Sequence, residues 1–232
     1  MKQLVLLLAI LLCGAGLSQA DIKLAGMKGK VQVRHGVSED WTTPAPGDIL
    51  KPEDSIRMGK KSKAVLSIDG RDRLTLPEMV IVDVSDLRKL SQEELLLMLA
   101  MQDVRSVPGK DRKDELNIPR TTTVHGANQG NVPSAIAADP DAGTLLLNGT
   151  KVLYDNGYYA TCILKAKDVY RQLPVLAKNI GSRLIVASAL ERLSLFSEAL
   201  TEYAGLSQER LSPRQKALVE EKLARLKRKG GE

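Results

Sequence analysis

The sequence predicts an α+β, multi-domain chain: an N-terminal all-β domain of sandwich or barrel-like form, then a C-terminal α-helical region. Three observations carry this. Residues 26–88 alternate apolar and polar side chains in short runs split by Gly and Pro. From about residue 144 the apolar residues recur at helical spacing. Between them, residues 109–143 are rich in Gly, Pro, Asn, Asp and Thr and show no sustained period.

The first twenty residues read as an export signal rather than as fold. Lys2 is a brief positive start, Leu4 to Leu12 an apolar run too short to span a bilayer, and Ser18-Gln19-Ala20 a small-residue cleavage site. Cleavage after Ala20 leaves Asp21 as the mature N-terminus and no further transmembrane segment, so the expected location is periplasmic or secreted. Lipidation at Cys13 is disfavoured, because Leu12 stands where a small residue is wanted. Cys162 is then the only cysteine left, so no intramolecular disulfide holds the fold, and a small buried apolar role is expected for it.

Along the β domain, "KVQVRH" alternates Val31 and Val33, and "AVLSIDG" puts Ala64, Leu66 and Ile68 on one face. "RLTL" answers with Leu74 and Leu76 across an Asp69-Gly70 turn, and "VIVDVSD" lines up Val80, Val82 and Val84. Ser91 and Glu94 then form a capping box for one helix ending before Pro108-Gly109, whose apolar side is expected to lie on the β domain. The predicted organisation is a signal over 1–20, the β domain with its trailing helix over 21–108, a linker over 109–143 and a helical domain over 144–232.

In the helical domain Gly157, Tyr159, Cys162, Ala166, Val169 and Pro174 fall at spacings of 2, 3, 4, 3 and 5. Ser194, Phe196, Ala199, Tyr203, Leu206 and Leu211 repeat those spacings 37 residues later. This resembles a degenerate tetratricopeptide array, whose period is about 34 residues, with Cys162 in place of Ala and Leu211 in place of Pro. A last helix starts at Ser212 (N-cap) and Pro213, with Leu218, Leu223 and Leu226 expected to bury as a terminal cap. Its basic end suits the negative pole of the helix dipole.

Chemistry is sparse. "SIRMGKKSKAVL" imitates the end of a phosphate-binding loop at Gly59-Lys60-Lys61-Ser62. It has Asp54 where the first glycine belongs, Lys61 after Lys60, and a strand where the helix should follow. His35 and His125 are far apart and no cysteine cluster exists. Asp69 and Asp72, or Asp139 and Asp141, follow no calcium-loop pattern and read as turn carboxylates. No nucleophile elbow surrounds any serine. Asn148-Gly149-Thr150 matches a glycosylation acceptor, an improbable modification behind a bacterial-type signal. The expectation is therefore no enzyme: no catalytic residue, no cofactor, no metal.

Composition narrows the partners. Aromatics make up 3% of the chain, too few for a sugar-stacking cleft or a single-stranded nucleic-acid platform. Net charge falls from +6 to +5 when Lys2 leaves with the signal, a mild bias towards anionic partners.

"GKVQVRHG", then Trp41, then "PGDILKPEDSIRMGKKSKAVLSIDGRDRLTL" resemble the FecR domain family over about residues 26–88. Gly29, Val31, Trp41, Gly47, Asp48, Leu50, Asp54, Ile56, Arg57, Gly59, Ala64, Leu66, Asp69 and Gly70 occupy the pattern's places. Glu53 replaces its usual glycine, which puts the turn there in question, and Met58 replaces its usual threonine. The resemblance implies an extracytoplasmic domain without shared catalytic residues, and Arg57 is its polar position to watch, as an ion-pair former or contact residue. The founding regulators carry a cytoplasmic segment and a transmembrane helix that this sequence does not show, so direct control of a sigma factor is not expected.

The combined expectation is an exported, non-enzymatic interaction or scaffold protein of the bacterial cell envelope. It would bind a protein partner on the concave side of the repeats. An anionic cell-wall polymer (polysaccharide or peptidoglycan) engaged through Trp41 is the alternative partner class, and an accessory role in FecR-type transmembrane signalling is the alternative function.

Overall fold

A computed structural model describes residues 21–106 and 140–229. The signal over 1–20, most of the expected linker and His125 lie outside the described residues.

Seven strands form the N-terminal unit: β1 (Ile22–Lys28), β2 (Val31–Arg34), β3 (Ile49–Leu50), β4 (Ser55–Met58), β5 (Lys63–Ile68), β6 (Asp72–Leu76) and β7 (Ile81–Asp83). They make two antiparallel sheets, ordered β3-β1-β5-β6 and β2-β4-β7. The expected alternation holds: Val31, Val33, Ala64, Leu66, Ile68, Leu74 and Leu76 are all buried. One strand was not anticipated. Ile22 and Leu24, both buried, carry β1 into the centre of the larger sheet directly after the expected cleavage site.

The chain changes sheet at every connection except the β5–β6 hairpin, where Asp69 and Gly70 both take positive φ (53° and 66°). Two of these crossovers lock together. Ser62 Oγ accepts the Lys30 N–H at 2.8 Å, and the Gly59 N–H donates to the Lys30 carbonyl at 2.9 Å. A Cβ on Gly29 would sit 2.7 Å from Ser62 Oγ and 2.9 Å from the Lys61 carbonyl, so glycine is required there. The Gly59–Ser62 segment is thus a turn between sheets. Its serine is buried as a structural acceptor, while Lys60, Lys61 and Lys63 are exposed.

The two aspartate turns share one design. Asp48 accepts the Ala45 N–H and Asp54 the Lys51 N–H, each at 2.8 Å, while each aspartate's own N–H returns to the same residue's carbonyl. Glu53 makes this turn without the positive φ that Gly47 adopts at the matching position, so losing the usual glycine leaves it unstrained.

Six helices are described: α1 (Gln92–Ser106), α2 (Pro140–Asp155), α3 (Tyr159–Gln172), α4 (Ile180–Arg192), α5 (Phe196–Ser207) and α6 (Pro213–Lys229). The Ser91–Glu94 capping box forms reciprocally at 2.8 and 3.1 Å. Four expectations need correction. The helical region begins by Pro140, inside the span read as linker, because Pro140 and Asp141 start a helix well. Helix α1 packs chiefly on α3 rather than on the sheets. It buries Leu95 and leaves Leu96, Leu97 and Met101 exposed. In α6 it is Val219, not Leu218, that buries beside Leu226, because Val219 and Leu226 lie seven residues apart on one helical face. Finally, Ile81 is as buried as Val80, Val82 and Val84, because α2 covers the far side of β7.

The spaced positions of the helical region are structurally equivalent. Gly157 and Ser194 occupy the turns of successive helical hairpins, both with positive φ (82° and 60°). Tyr159 and Phe196 open α3 and α5. Cys162 and Ala199, Ala166 and Tyr203, and Val169 and Leu206 are fully buried in matched places. Helices α2/α3 and α4/α5 are therefore two hairpins of one pattern, and α6 closes the end.

Candidate interaction surfaces

The groups weighed for chemistry are absorbed by structure. Cys162 is buried, and burial pushes its thiol up to about 12, so it stays protonated and inert at neutral pH. His35 Nδ1 lies 3.1 Å from the buried Asp54 carboxylate, whose other oxygen serves the Lys51 turn. Asp69 Oδ1 accepts the Asp21 N–H at 3.0 Å. Among the described residues no three His, Cys, Asp or Glu side chains gather as a metal site, and no helix is long and apolar enough to cross a membrane.

The asparagine tripeptide has a different use. Asn148 Nδ2 donates to the Met79 carbonyl at 2.8 Å, and Thr150 is buried with its hydroxyl on the Leu147 carbonyl at 2.7 Å. Between them, a Cβ on Gly149 would lie 2.0 Å from the Ile81 carbonyl oxygen. The glycine lets α2 lie directly on the β7 backbone.

Beside this contact sits a largely buried ionic cluster. Lys165 Nζ on α3 reaches Asp83 at 2.5 Å and Asp86 at 3.1 Å, and its side chain is 18% exposed. Asp83 also accepts from the Ser55 hydroxyl at 2.5 Å, and Ser55 Oγ accepts from Arg34 at 3.2 Å. Burial would raise the Asp83 carboxyl, but the Lys165 charge and hydrogen bonds outweigh it and hold it below its ordinary value. Burial dominates at Asp86 and, with Asp83 close by, lifts it to about 6 despite Lys165. Burial would lower Lys165, but the two carboxylates overcome it and keep the amine charged. One cation faces two carboxylates, and the weaker-held one is proton-hungry.

These contacts clamp the first helical hairpin onto the three-stranded sheet. One face of that hairpin is thus occupied within the chain, which takes it out of the surface expected for a partner. Sequence reasoning passed over Lys165. The available signal was its place on the buried side of α3, between Cys162 and Ala166. A lysine there demands buried acids.

A second feature lies on the same face of that sheet, at its β2 edge, on the side away from the hairpin docked at β7. The register aligns Arg34, Ser55 and Asp83 in one row across β2, β4 and β7, and Gln32, Arg57 and Ile81 in the next. Trp41 is positioned by the paired Val33–Thr42 backbone hydrogen bonds of 2.8 and 2.9 Å. The Arg34 and Arg57 guanidinium carbons lie 5.4 and 5.7 Å from its ring centroid. Arg57, the polar position singled out by the FecR resemblance, is therefore an aromatic-contact residue.

Comparison with protein-family models, with curated proteins and with solved structures gives no significant match.

Proposed function

We propose that the chain is an exported, non-enzymatic scaffold of the bacterial cell envelope, pairing a FecR-like β unit with a short tetratricopeptide-like helical unit to bind a protein partner. The observation that carries this reading is the pair of helical hairpins with equivalent packing positions 37 residues apart, closed by α6. Arrays of this kind present extended surfaces to other chains rather than pockets to small molecules. The fate of Cys162, Ser62 and Lys165 agrees with it, since each is committed to packing, a turn or an ion cluster. Because the first hairpin is docked on the sheet, the partner surface falls to the second hairpin with α6.

Amine-reactive cross-linking of the mature protein in an envelope extract tests the proposal. Reproducible cross-links to one other envelope protein are expected. Intrachain cross-links alone, over a range of extraction conditions, would contradict it.

A further inference from the structure

We infer that the end of the helical unit where α4 and α6 finish is a docking surface for an anionic phospholipid membrane. The inference goes beyond the protein-partner reading and does not rest on it. Charge is the first observation. Residues 209–229 hold eight Lys and Arg against three Glu, a net +5 that equals the excess of the whole mature chain. At this end α4 finishes in Arg192, and α6 in Lys227, Arg228 and Lys229, all four exposed. The pole of one helix presents about half an elementary charge, so three cations overfill what α6 needs for itself. Acids close by are already engaged: Glu191 takes Lys222 and Arg225, and Asp155 takes Lys151. Among the described residues none of the four end cations lies within ion-pair distance of a carboxylate. Glu198, exposed in the first turn of α5, opposes them and is outnumbered. Asp69 and Asp72 bear on Tyr158 at the α2–α3 turn, which leaves the basic surface on the α4–α6 side.

Aromatic side chains gather at the same end. Tyr154 lies in the last turn of α2 and Tyr159 opens α3, their rings edge to face with centroids 5.4 Å apart, and Arg192 lies against Tyr154. Phe196 opens α5, with the Lys229 ammonium 4.8 Å from its ring centroid. All three rings are half-buried, in a chain that has only seven. A ring whose body is packed and whose edge is wet suits the boundary between lipid tails and headgroups, and cations beside it meet lipid phosphates. The arrangement favours a lipid surface over an acidic peptide. Consecutive helical residues point about 100° apart, so Lys227, Arg228 and Lys229 fan out around α6 instead of lining up for one extended chain. A layer of headgroups needs no such register. Contact is peripheral: α6 buries its apolar Val219 and Leu226 and packs on α5, and among the described residues no helix is long and apolar enough to cross a bilayer.

The mature protein is sedimented with vesicles of phosphatidylcholine alone and of phosphatidylcholine mixed equally with phosphatidylglycerol. Binding to the mixed vesicles only is expected, weakening as salt is raised. A cation close to an anionic surface is worth about fivefold in affinity. Arg192→Gln should therefore weaken binding about fivefold, and Lys227→Gln/Arg228→Gln/Lys229→Gln roughly a hundredfold, with far-UV circular dichroism unchanged. Phe196→Leu keeps the charge and loses the ring, and is expected to weaken binding severalfold. Arg210→Gln/Arg214→Gln/Lys216→Gln removes equal charge about 20 Å away at the other end of α6, beyond a screening length of about 10 Å, and is expected to stay within about threefold. Equal sedimentation with phosphatidylcholine alone, no binding to mixed vesicles at low salt, or an equal loss in the Arg210/Arg214/Lys216 variant would each overturn the inference. So would tighter binding to oligoglutamate than to vesicles of equal accessible charge, which would give the surface to an acidic peptide. Cross-linking to a protein partner is read without lipid, so the two readings stand or fall separately.

Discussion

Ser194 is the residue at which pattern and backbone disagree. Its partner in the first hairpin is Gly157, and both turns need positive φ. An L-residue in the left-handed region is disfavoured by about 1–2 kcal/mol, partly returned here by the lower entropy of an unfolded serine. Ser194→Gly is expected to stabilise the chain by about 0.5–1 kcal/mol in urea unfolding. Gly149 sets the opposite case. Its missing Cβ would meet a backbone carbonyl, which cannot swing aside, so Gly149→Ala should destabilise by on the order of 3 kcal/mol in the same assay. The equivalence of Gly157 and Ser194 was legible from spacing alone. The role of Gly149 was not, because nothing in "NGT" says that a strand from a distant part of the chain will lie against it. The match to a glycosylation acceptor, already improbable, said nothing of this long-range contact.

At the scale of elements, alternation exposed β2, β5 and β6, because one face of each is buried and the other is not. It showed only one side of β7, which is covered on both; for α1 the capping box gave the helix but not its packing partner, which is α3 rather than the sheets. The element that joins the units is the Val84–Asp86 turn with β7, through Lys165. Lys165→Met would leave the largely buried Asp83 and Asp86 without their lysine and is expected to cost about 2–4 kcal/mol. The cluster also sets a pH dependence. Asp86 is raised from 3.8 to about 6 in the folded state, so folding takes up a proton between those values, and the wild type loses stability as pH rises from about 4 to about 6. Asp83 has the reverse sign: its contribution is present above 3.8 and lost as pH falls through its lowered value. In Asp86→Asn the loss between pH 4 and 6 should disappear. The variant would then gain roughly 2–3 kcal/mol on the wild type across that window in denaturant titrations at stepped pH.

The whole molecule is where the sequence misleads most. A polar stretch between two textures reads as two domains on a linker. Instead, α2 lies on β7, Asn148 holds the Met79 carbonyl, and Lys165 binds two carboxylates from the β unit. Residues more than eighty positions apart make the closest of these contacts, as Lys165 and Asp83 do. A polar surface at the sheet edge looks solvated in sequence until the partner helix is placed over it. The central claim is that the β and helical units are one cooperative body. Urea unfolding followed by two probes on the same sample tests it most directly. Trp41 emission reports the β unit, and far-UV helical ellipticity reports chiefly the helical unit. The account predicts coincident transitions that shift together to lower urea in Lys165→Met. Two separate transitions in the wild type, or a Lys165→Met curve that moves only one probe, would contradict it.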